Sequence, residues 1–120
     1  MDISQLTIDE TRRALDAKEF SAVELAQAHL DAIQKQNPEL NAYLEVYDDV
    51  IVQAQAADAM IAAGKQQALT GIPIAVKDNI LIQGKRASSA SKILEGYVSP
   101  YDATVIKQLK AQGTVFIGRT

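Results

Sequence analysis

Residues 71–80 read Gly-Ile-Pro-Ile-Ala-Val-Lys-Asp-Asn-Ile, an apolar run that ends at Lys77 and is followed at once by Asp78. Such a run is typical of a buried strand, and open α/β sheets carry their chemistry at the carboxyl ends of their strands. A lysine amine there can act as a base when apolar surroundings favour its uncharged form. The local pattern leaves open the alternative that Lys77 is an ordinary strand-end lysine, solvated or paired with a carboxylate. If the chain stays extended, Asp78 points away from the side on which Lys77 works.

The first half of the chain has the pattern of helices. A hydroxyl residue followed three positions later by glutamate occurs at Thr7 and again at Ser21, and each pair predicts a helix start. The second helix carries an apolar stripe that should bury one face, and we expect it to end before the Asn-Pro pair at 37–38. A short extended segment at 42–46 and a third helix at about 48–63, closed by a glycine, should follow.

The second half changes to strands and turns around a helix. Asp102 is the predicted N-cap of a helix that Gly113 ends before a strand at 114–117. A strand, a crossover helix and a second strand in this order predict a parallel pair. The sequence therefore predicts α/β architecture, with a helical amino-terminal part leading into the first strands of a larger mixed sheet, and no second domain within residues 1–120.

Several other side chains could carry chemistry, but each has a simpler interpretation. The serines at 88, 89 and 91 lack a nucleophile-elbow pattern and have no histidine nearby, so we interpret them as turn and packing residues. His29 has no metal-ligand companion and should lie at the surface or at the boundary of the core. Asp58 should occupy an exposed helix position.

Composition restricts the class of protein. A net charge of -3 and a pI near 5.0 argue against direct nucleic-acid binding, and we interpret the small basic groups at 85–86 and at 107 and 110 as solvated surface. The chain has no cysteine, which fits a reducing compartment. No export signal and no membrane-spanning apolar run is evident, so we expect a soluble, cytoplasmic protein without membrane contact.

Residues 71–80 resemble the lysine motif of the amidase signature family. Residues 90–95, 100–105 and 113–118 are similar to the branch of that family formed by the A subunits of glutamyl-tRNA(Gln) amidotransferases. The resemblance implies that Lys77 is the terminal base of a Ser–cis-Ser–Lys relay, in which it activates a nucleophilic serine through a bridging serine. The family places both serines beyond Thr120, so we expect residues 1–120 to be the amino-terminal part of a single amidase domain, inactive by itself. Ala87 and Ser89 depart from the threonine and cysteine that the family often has there.

The resemblance also implies a function. The complete protein would hydrolyse glutamine and supply ammonia to a partner protein, which would use ATP and Mg²⁺ to convert Glu-tRNA(Gln) into Gln-tRNA(Gln). The B and C subunits would complete a heterotrimer, in which the B subunit binds the tRNA, and this chain would itself bind no cofactor or metal. Two alternatives stay open. One is a stand-alone amidase for another small amide; the other is a non-catalytic folding or interaction module, whose unpaired strand edges would favour self-association or marginal stability.

Overall fold

The computed structural model describes residues 1–120, which form four α-helices and three strands after a single 3₁₀ turn. In chain order the elements are α1 (Ile8–Asp16), α2 (Ala22–Leu40), β1 (Glu45–Val46), α3 (Val50–Ala62), β2 (Pro73–Val76), α4 (Thr104–Ala111) and β3 (Val115–Arg119). The predicted α/β architecture is confirmed, with three of the four helices preceding β2. No helix combines the length and the apolar composition needed to cross a membrane.

The three strands form one mixed sheet with β3 in the middle, in the order β1-β3-β2. β3 pairs in parallel with β2, where Pro73 lies opposite Val115, and antiparallel with β1, where Val46 lies opposite Gly118. The parallel pairing predicted from the strand-helix-strand order is therefore confirmed. The predicted extended segment at 42–46 contributes only the two residues of β1 to the sheet.

The hydrophobic core lies between the sheet and the helices, where α2 packs on α3 and α3 packs on β3. Small residues on α2 and α3 allow this close approach. The residues at the centre of the core, each at most 2% exposed, include Leu15, Ala22, Ala26, Val50, Ala54, Ala57, Ile106, Val115 and Ile117. The central strand is thus buried along most of its length, which fits its continuous apolar sequence.

Both predicted capping boxes are present. At the start of α1 the Glu10 amide donates to the Thr7 hydroxyl at 3.2 Å, and the Thr7 amide donates to the Glu10 carboxylate at 2.9 Å. At the start of α2 the Glu24 amide donates to the Ser21 hydroxyl at 3.1 Å, and the Ser21 amide donates to the Glu24 carboxylate at 2.8 Å. Each box satisfies two backbone amides that a free helix end would leave unpaired.

The predicted end of α2 is wrong. The helix continues through Pro38 to Leu40, and Asn41, which caps it, adopts a left-handed conformation with φ of 50°. Proline cannot donate a backbone hydrogen bond and its ring crowds the preceding turn, but the next turn still closes, because the Asn41 amide donates to the Asn37 carbonyl at 2.7 Å. The Asn37 side chain then holds the exit, accepting from the Tyr43 amide at 2.8 Å and donating to the Tyr43 carbonyl at 3.1 Å.

The predicted N-cap of α4 is also wrong. The helix begins after Ala103, which has no side chain able to cap it. The Asp102 carboxylate instead accepts from the Gln83 amide at 2.7 Å and from the Lys110 ammonium at 2.9 Å. A charged partner and an amide from another segment give charge-assisted hydrogen bonds, and both partners come from outside the first turn of the helix.

Candidate active site

Lys77 directly follows β2, at the carboxyl end of the strand. The Thr120 amide donates to the Val76 carbonyl at 2.9 Å, and the Asp78 amide donates to the Thr120 carbonyl at 2.9 Å. These two bonds lie on either side of Lys77 and continue the parallel ladder beyond β2. The backbone at Lys77 is therefore fixed relative to the end of the central strand β3.

The side chain of Lys77 is exposed and free of partners. The ion pairs of this chain involve other cations, so within residues 1–120 Lys77 matches the solvated form of the alternative interpretation and not the carboxylate-paired form. Residues 1–120 also do not enclose the amine in the apolar surroundings that the sequence suggested, since Lys77 is exposed. Within this chain the lysine is an unpaired amine presented at the sheet end.

Asp78, the next residue, is buried, at 3% exposure. Its carboxylate accepts four hydrogen bonds, from the Ser88 amide at 2.9 Å, the Ser88 hydroxyl, the Ala90 amide at 3.2 Å and the Arg119 guanidinium at 2.7 Å. The prediction that the two side chains point to different sides assumed an extended chain, but Asp78 and Asn79 lie in a turn after β2. The two residues differ in burial, since Lys77 is exposed.

The Asp78 carboxyl is ionised. Its burial acts to raise its pKa, but the hydrogen bonds from Ser88, Arg119 and Ala90 outweigh that effect and hold the pKa well below its usual value. Arg119 also donates to the Glu45 carboxylate at 2.7 Å. One guanidinium from the end of β3 thus joins a carboxylate on β1 to the carboxylate that follows Lys77.

The segment 88–90 folds around Asp78. Ser89 and Ala90 both adopt left-handed conformations, with φ of 49° and 57°, which residues other than glycine rarely adopt. Three successive amides in this segment face Asp78: those of Ser88 and Ala90 donate to its carboxylate, and that of Ser89 donates to its carbonyl at 3.1 Å. This is an anion-binding arrangement of successive N–H groups, with the anion supplied by the chain itself.

The structure confirms that Ser88 is a turn and packing residue, because its hydroxyl donates to Asp78. No serine hydroxyl forms a hydrogen bond with Lys77, and the carboxylates and the single histidine form no cluster able to hold a metal ion. A cavity of about 350 Å³ opens beside the segment and is lined by Leu44, Arg86, Ser88, Ala90, Ser91, Lys92, Glu95 and Arg119. The site as formed by residues 1–120 thus holds a candidate base without an aligned nucleophile.

Sequence reasoning missed the role of Asp78 as the centre of this network. The signal was a carboxylate directly after the lysine that ends the apolar run at 71–76. The strand in that run, β2, is only partly buried, with Val76 its one buried residue, so the prediction of a buried strand is wrong for residues 1–120. The partners of Asp78 lie 10, 12 and 41 residues away in the sequence, and no local pattern identifies them.

The remaining candidate residues have structural roles. His29 is partly buried, with its Nδ1 2.9 Å from the Leu25 carbonyl oxygen, as expected for a residue at the boundary of the core. The prediction for Asp58 is wrong: its carboxylate is partly buried and accepts from the amides of Ala22 at 2.7 Å and Val23 at 3.2 Å. Asp58 therefore binds the first turn of α2, where a negative charge complements the helix dipole.

The interpretation of the basic groups as solvated surface is wrong for Lys85. Its ammonium bonds to the Asp49 carboxylate at 3.0 Å and lies 4.6 Å from the centroid of the Tyr47 ring. Its side chain is 21% exposed, because the aliphatic part is covered while the charge interacts with the Asp49 carboxylate, the Tyr47 ring and, at 3.9 Å, the Asp48 carboxylate. Lys110 is likewise paired, with Asp102.

Acidification is expected to weaken the attachment of the segment 88–90. Since the folded pKa of Asp78 is depressed, its contribution to the free energy of unfolding is complete above the unfolded value of about 3.9 and declines as the pH falls below it. We expect the stability difference between the parent protein and Asp78→Asn to shrink between about pH 4 and pH 2. Urea unfolding at several pH values measures this difference, and a difference independent of pH would contradict the assignment.

Comparisons with known proteins agree with the motif at Lys77. The family model described as Amidase matches residues 24–120. The chain is 48% identical over 116 residues to the A subunit of the glutamyl-tRNA(Gln) amidotransferase of Ectopseudomonas mendocina, covering 96% of this chain and 24% of that protein. It is 46% identical to the corresponding protein of Ruminiclostridium cellulolyticum, covering 100% of this chain and 25% of that protein. The chain thus spans about a quarter of the length of these relatives.

Solved structures share the fold. The native peptide amidase of Stenotrophomonas maltophilia superposes with a TM-score of 0.92 at 28% identity, over 99% of this chain and 25% of that one. The A subunit of the glutamyl-tRNA(Gln) amidotransferase of Thermotoga maritima superposes with a TM-score of 0.75 at 35% identity, over 99% of this chain and 23% of that one. With the family model matching most of its length and a lysine at the sheet end, the chain belongs to the amidase signature family.

Proposed function

We propose that residues 1–120 form the lysine-bearing part of a single amidase domain that hydrolyses glutamine, as the A subunit of a glutamyl-tRNA(Gln) amidotransferase. The observation that carries this choice is the sequence identity of 44–48% to A subunits over nearly the whole chain. The identity to the peptide amidase is 28%, so the sequence favours the amidotransferase branch.

In this proposal Lys77 is the terminal base of a Ser–cis-Ser–Lys relay. Its uncharged amine takes a proton from a bridging serine, the bridging serine takes one from the nucleophilic serine, and that oxygen attacks the side-chain amide carbon of glutamine. The C–N bond breaks, ammonia leaves with a proton returned through the relay, and water then hydrolyses the acyl-enzyme. The absence of an ion pair at Lys77 supports this role, because a carboxylate partner would favour the charged amine.

Polypeptide outside residues 1–120 must supply two things for this relay: the two serines, and an apolar cover over the exposed Lys77. We propose that both belong to the same amidase domain. The expectation that the 120-residue chain is inactive by itself follows from this requirement.

The partners and cofactors follow from the same assignment. Ammonia would pass to a partner protein that uses ATP and Mg²⁺ to amidate Glu-tRNA(Gln), in a cytoplasmic complex with the B and C subunits. The net charge of -3 supports an arrangement in which another protein of the complex binds most of the tRNA.

The alternative is a stand-alone amidase, which the higher TM-score of the peptide amidase favours, 0.92 against 0.75. The test purifies the complete gene product from its native cells and measures ammonia release from glutamine and from a peptide amide. We expect glutamine hydrolysis, two co-purifying proteins, and no release by the 120-residue chain alone. A single-protein enzyme that prefers the peptide amide would establish the alternative instead.

A further inference from the structure

We propose that Asp78 is a positioning residue for Lys77: its buried carboxylate binds the sheet end to the segment 88–90 and thereby sets where the amine of Lys77 lies. The inference rests on the proposed function of Lys77 as the base. It assigns to Asp78 a role in turnover that is separate from the reaction itself, since its carboxylate bonds to Ser88, Ala90 and Arg119 and not to Lys77.

Backbone hydrogen bonds hold Lys77 at the end of the sheet. Its side chain is exposed and takes part in none of the ion pairs, so contacts of the amine within this chain do not fix its position. The backbone on either side fixes the Cα from which the side chain extends. The Thr120 amide donates to the Val76 carbonyl, and the Asp78 amide donates to the Thr120 carbonyl, both at 2.9 Å. In the turn that follows, the Ile80 amide donates to the Lys77 carbonyl at 2.9 Å.

The side chain of Asp78 holds the turn that follows Lys77. Asp78 is the one buried residue of the turn. Its carboxylate accepts hydrogen bonds from two separate parts of the chain: from Ser88 and Ala90 in the segment 88–90, and from Arg119 at the end of β3. The left-handed Ser89 and Ala90 are held in place because their amides donate to Asp78. A strained segment of this kind persists when its surroundings over-determine it.

Position 78 requires an aspartate. All four groups that contact the carboxylate are donors, and an ionised carboxylate is acceptor-only. Asparagine would turn an NH₂ group toward at least one of these donors. Glutamate keeps the charge but adds a methylene, which a site at 3% exposure accommodates only by moving the backbone that carries Lys77.

The test measures kcat and KM for glutamine in the complete gene product carrying Asp78→Asn or Asp78→Glu, at a temperature where each variant is folded by circular dichroism. A second readout is the rate at which a fluorophosphonate, which reacts with an activated serine, labels the protein. We expect kcat and the labelling rate to fall together by about 100-fold, the effect of displacing a catalytic group by about 1 Å, while KM stays within about threefold because glutamine binding is unchanged.

A matched control separates positioning from general stability. Leu15→Ala removes a side chain at 2% exposure in α1 and lowers the melting temperature without touching the Asp78 network. If Asp78→Asn lowers kcat no more than Leu15→Ala, the positioning role is overturned. Should Asp78→Asn fail to fold, Ser88→Ala removes only the hydroxyl donor to Asp78 and should give a smaller decrease in the same two quantities; unchanged values would overturn the proposal.

The readouts also distinguish this inference from the proposed function. A parent protein that labels with the fluorophosphonate but does not hydrolyse glutamine would refute the glutaminase assignment, and slower labelling of Asp78→Asn would still support positioning. A parent protein that hydrolyses glutamine normally while both Asp78 variants match it would overturn positioning alone. A parent protein that neither labels nor hydrolyses would overturn both.

Discussion

Replacing Lys77 by alanine in the complete gene product should reduce the kcat for glutamine hydrolysis by about 10³-fold, within the range that a positioned general base contributes. The variant should still fold, since the substitution removes no ion pair within residues 1–120. Ammonia release at saturating glutamine and the melting temperature measure the two effects.

Two further variants make the result specific. Lys77→Arg keeps a long cationic side chain but cannot provide an uncharged base, because a guanidinium stays protonated, so it should be as inactive as Lys77→Ala. Lys65→Ala removes another exposed lysine without an ion pair and should keep full activity. Near-normal turnover by Lys77→Ala would refute the assigned role.

Replacing Gly118 by alanine is expected to lower the free energy of unfolding by about 3 kcal/mol, at the upper end of the cost of overpacking. A Cβ at this position would lie 2.2 Å from the Glu45 carbonyl oxygen and 3.1 Å from the Tyr43 ring. The obstructing oxygen belongs to the backbone of β1, which pairs with β3 at this point. Relief of the overlap therefore requires the two strands to separate.

Gly96→Ala is the matched control, because a Cβ there would meet no atom within 4 Å and its φ is not positive. The same added methyl group should then change the free energy of unfolding by no more than about 0.5 kcal/mol. Urea unfolding of the two variants of the complete gene product gives the comparison. Equal effects at the two glycines would show that the close approach of β1 to Gly118 does not control stability.

The helix starts could be predicted from the sequence because a capping box is a local device. The hydroxyl of Ser21 and the carboxylate of Glu24 lie three residues apart and bond to each other's backbone, so a short pattern contains the whole interaction. The end of α2 could not be predicted in this way. Whether a helix passes through Pro38 depends on how its exit is held, and the Asn37 side chain does this through Tyr43.

Two carboxylates also bond to partners that a local sequence pattern could not identify. Asp58 and Asp102 have ordinary local sequences, but their partners lie 36 and 19 residues away, at Ala22 and Gln83. The sequence predicted a surface position for Asp58 and an N-cap role for Asp102, whereas the structure places both carboxylates in tertiary contacts. A short polar side chain bonds to whichever donor the fold brings within reach, and local sequence does not specify that donor.

For the candidate site, the sequence by itself determined that an apolar strand ends at Lys77 and that a second strand pairs with it in parallel. Both depend on hydrophobic patterning and on the order of the elements, which are readable along the chain. Only the tertiary structure decided that Asp78 is buried and collects donors from Ser88, Ala90 and Arg119. A buried charge needs several partners at once, and folding alone brings together donors from segments so far apart in the chain.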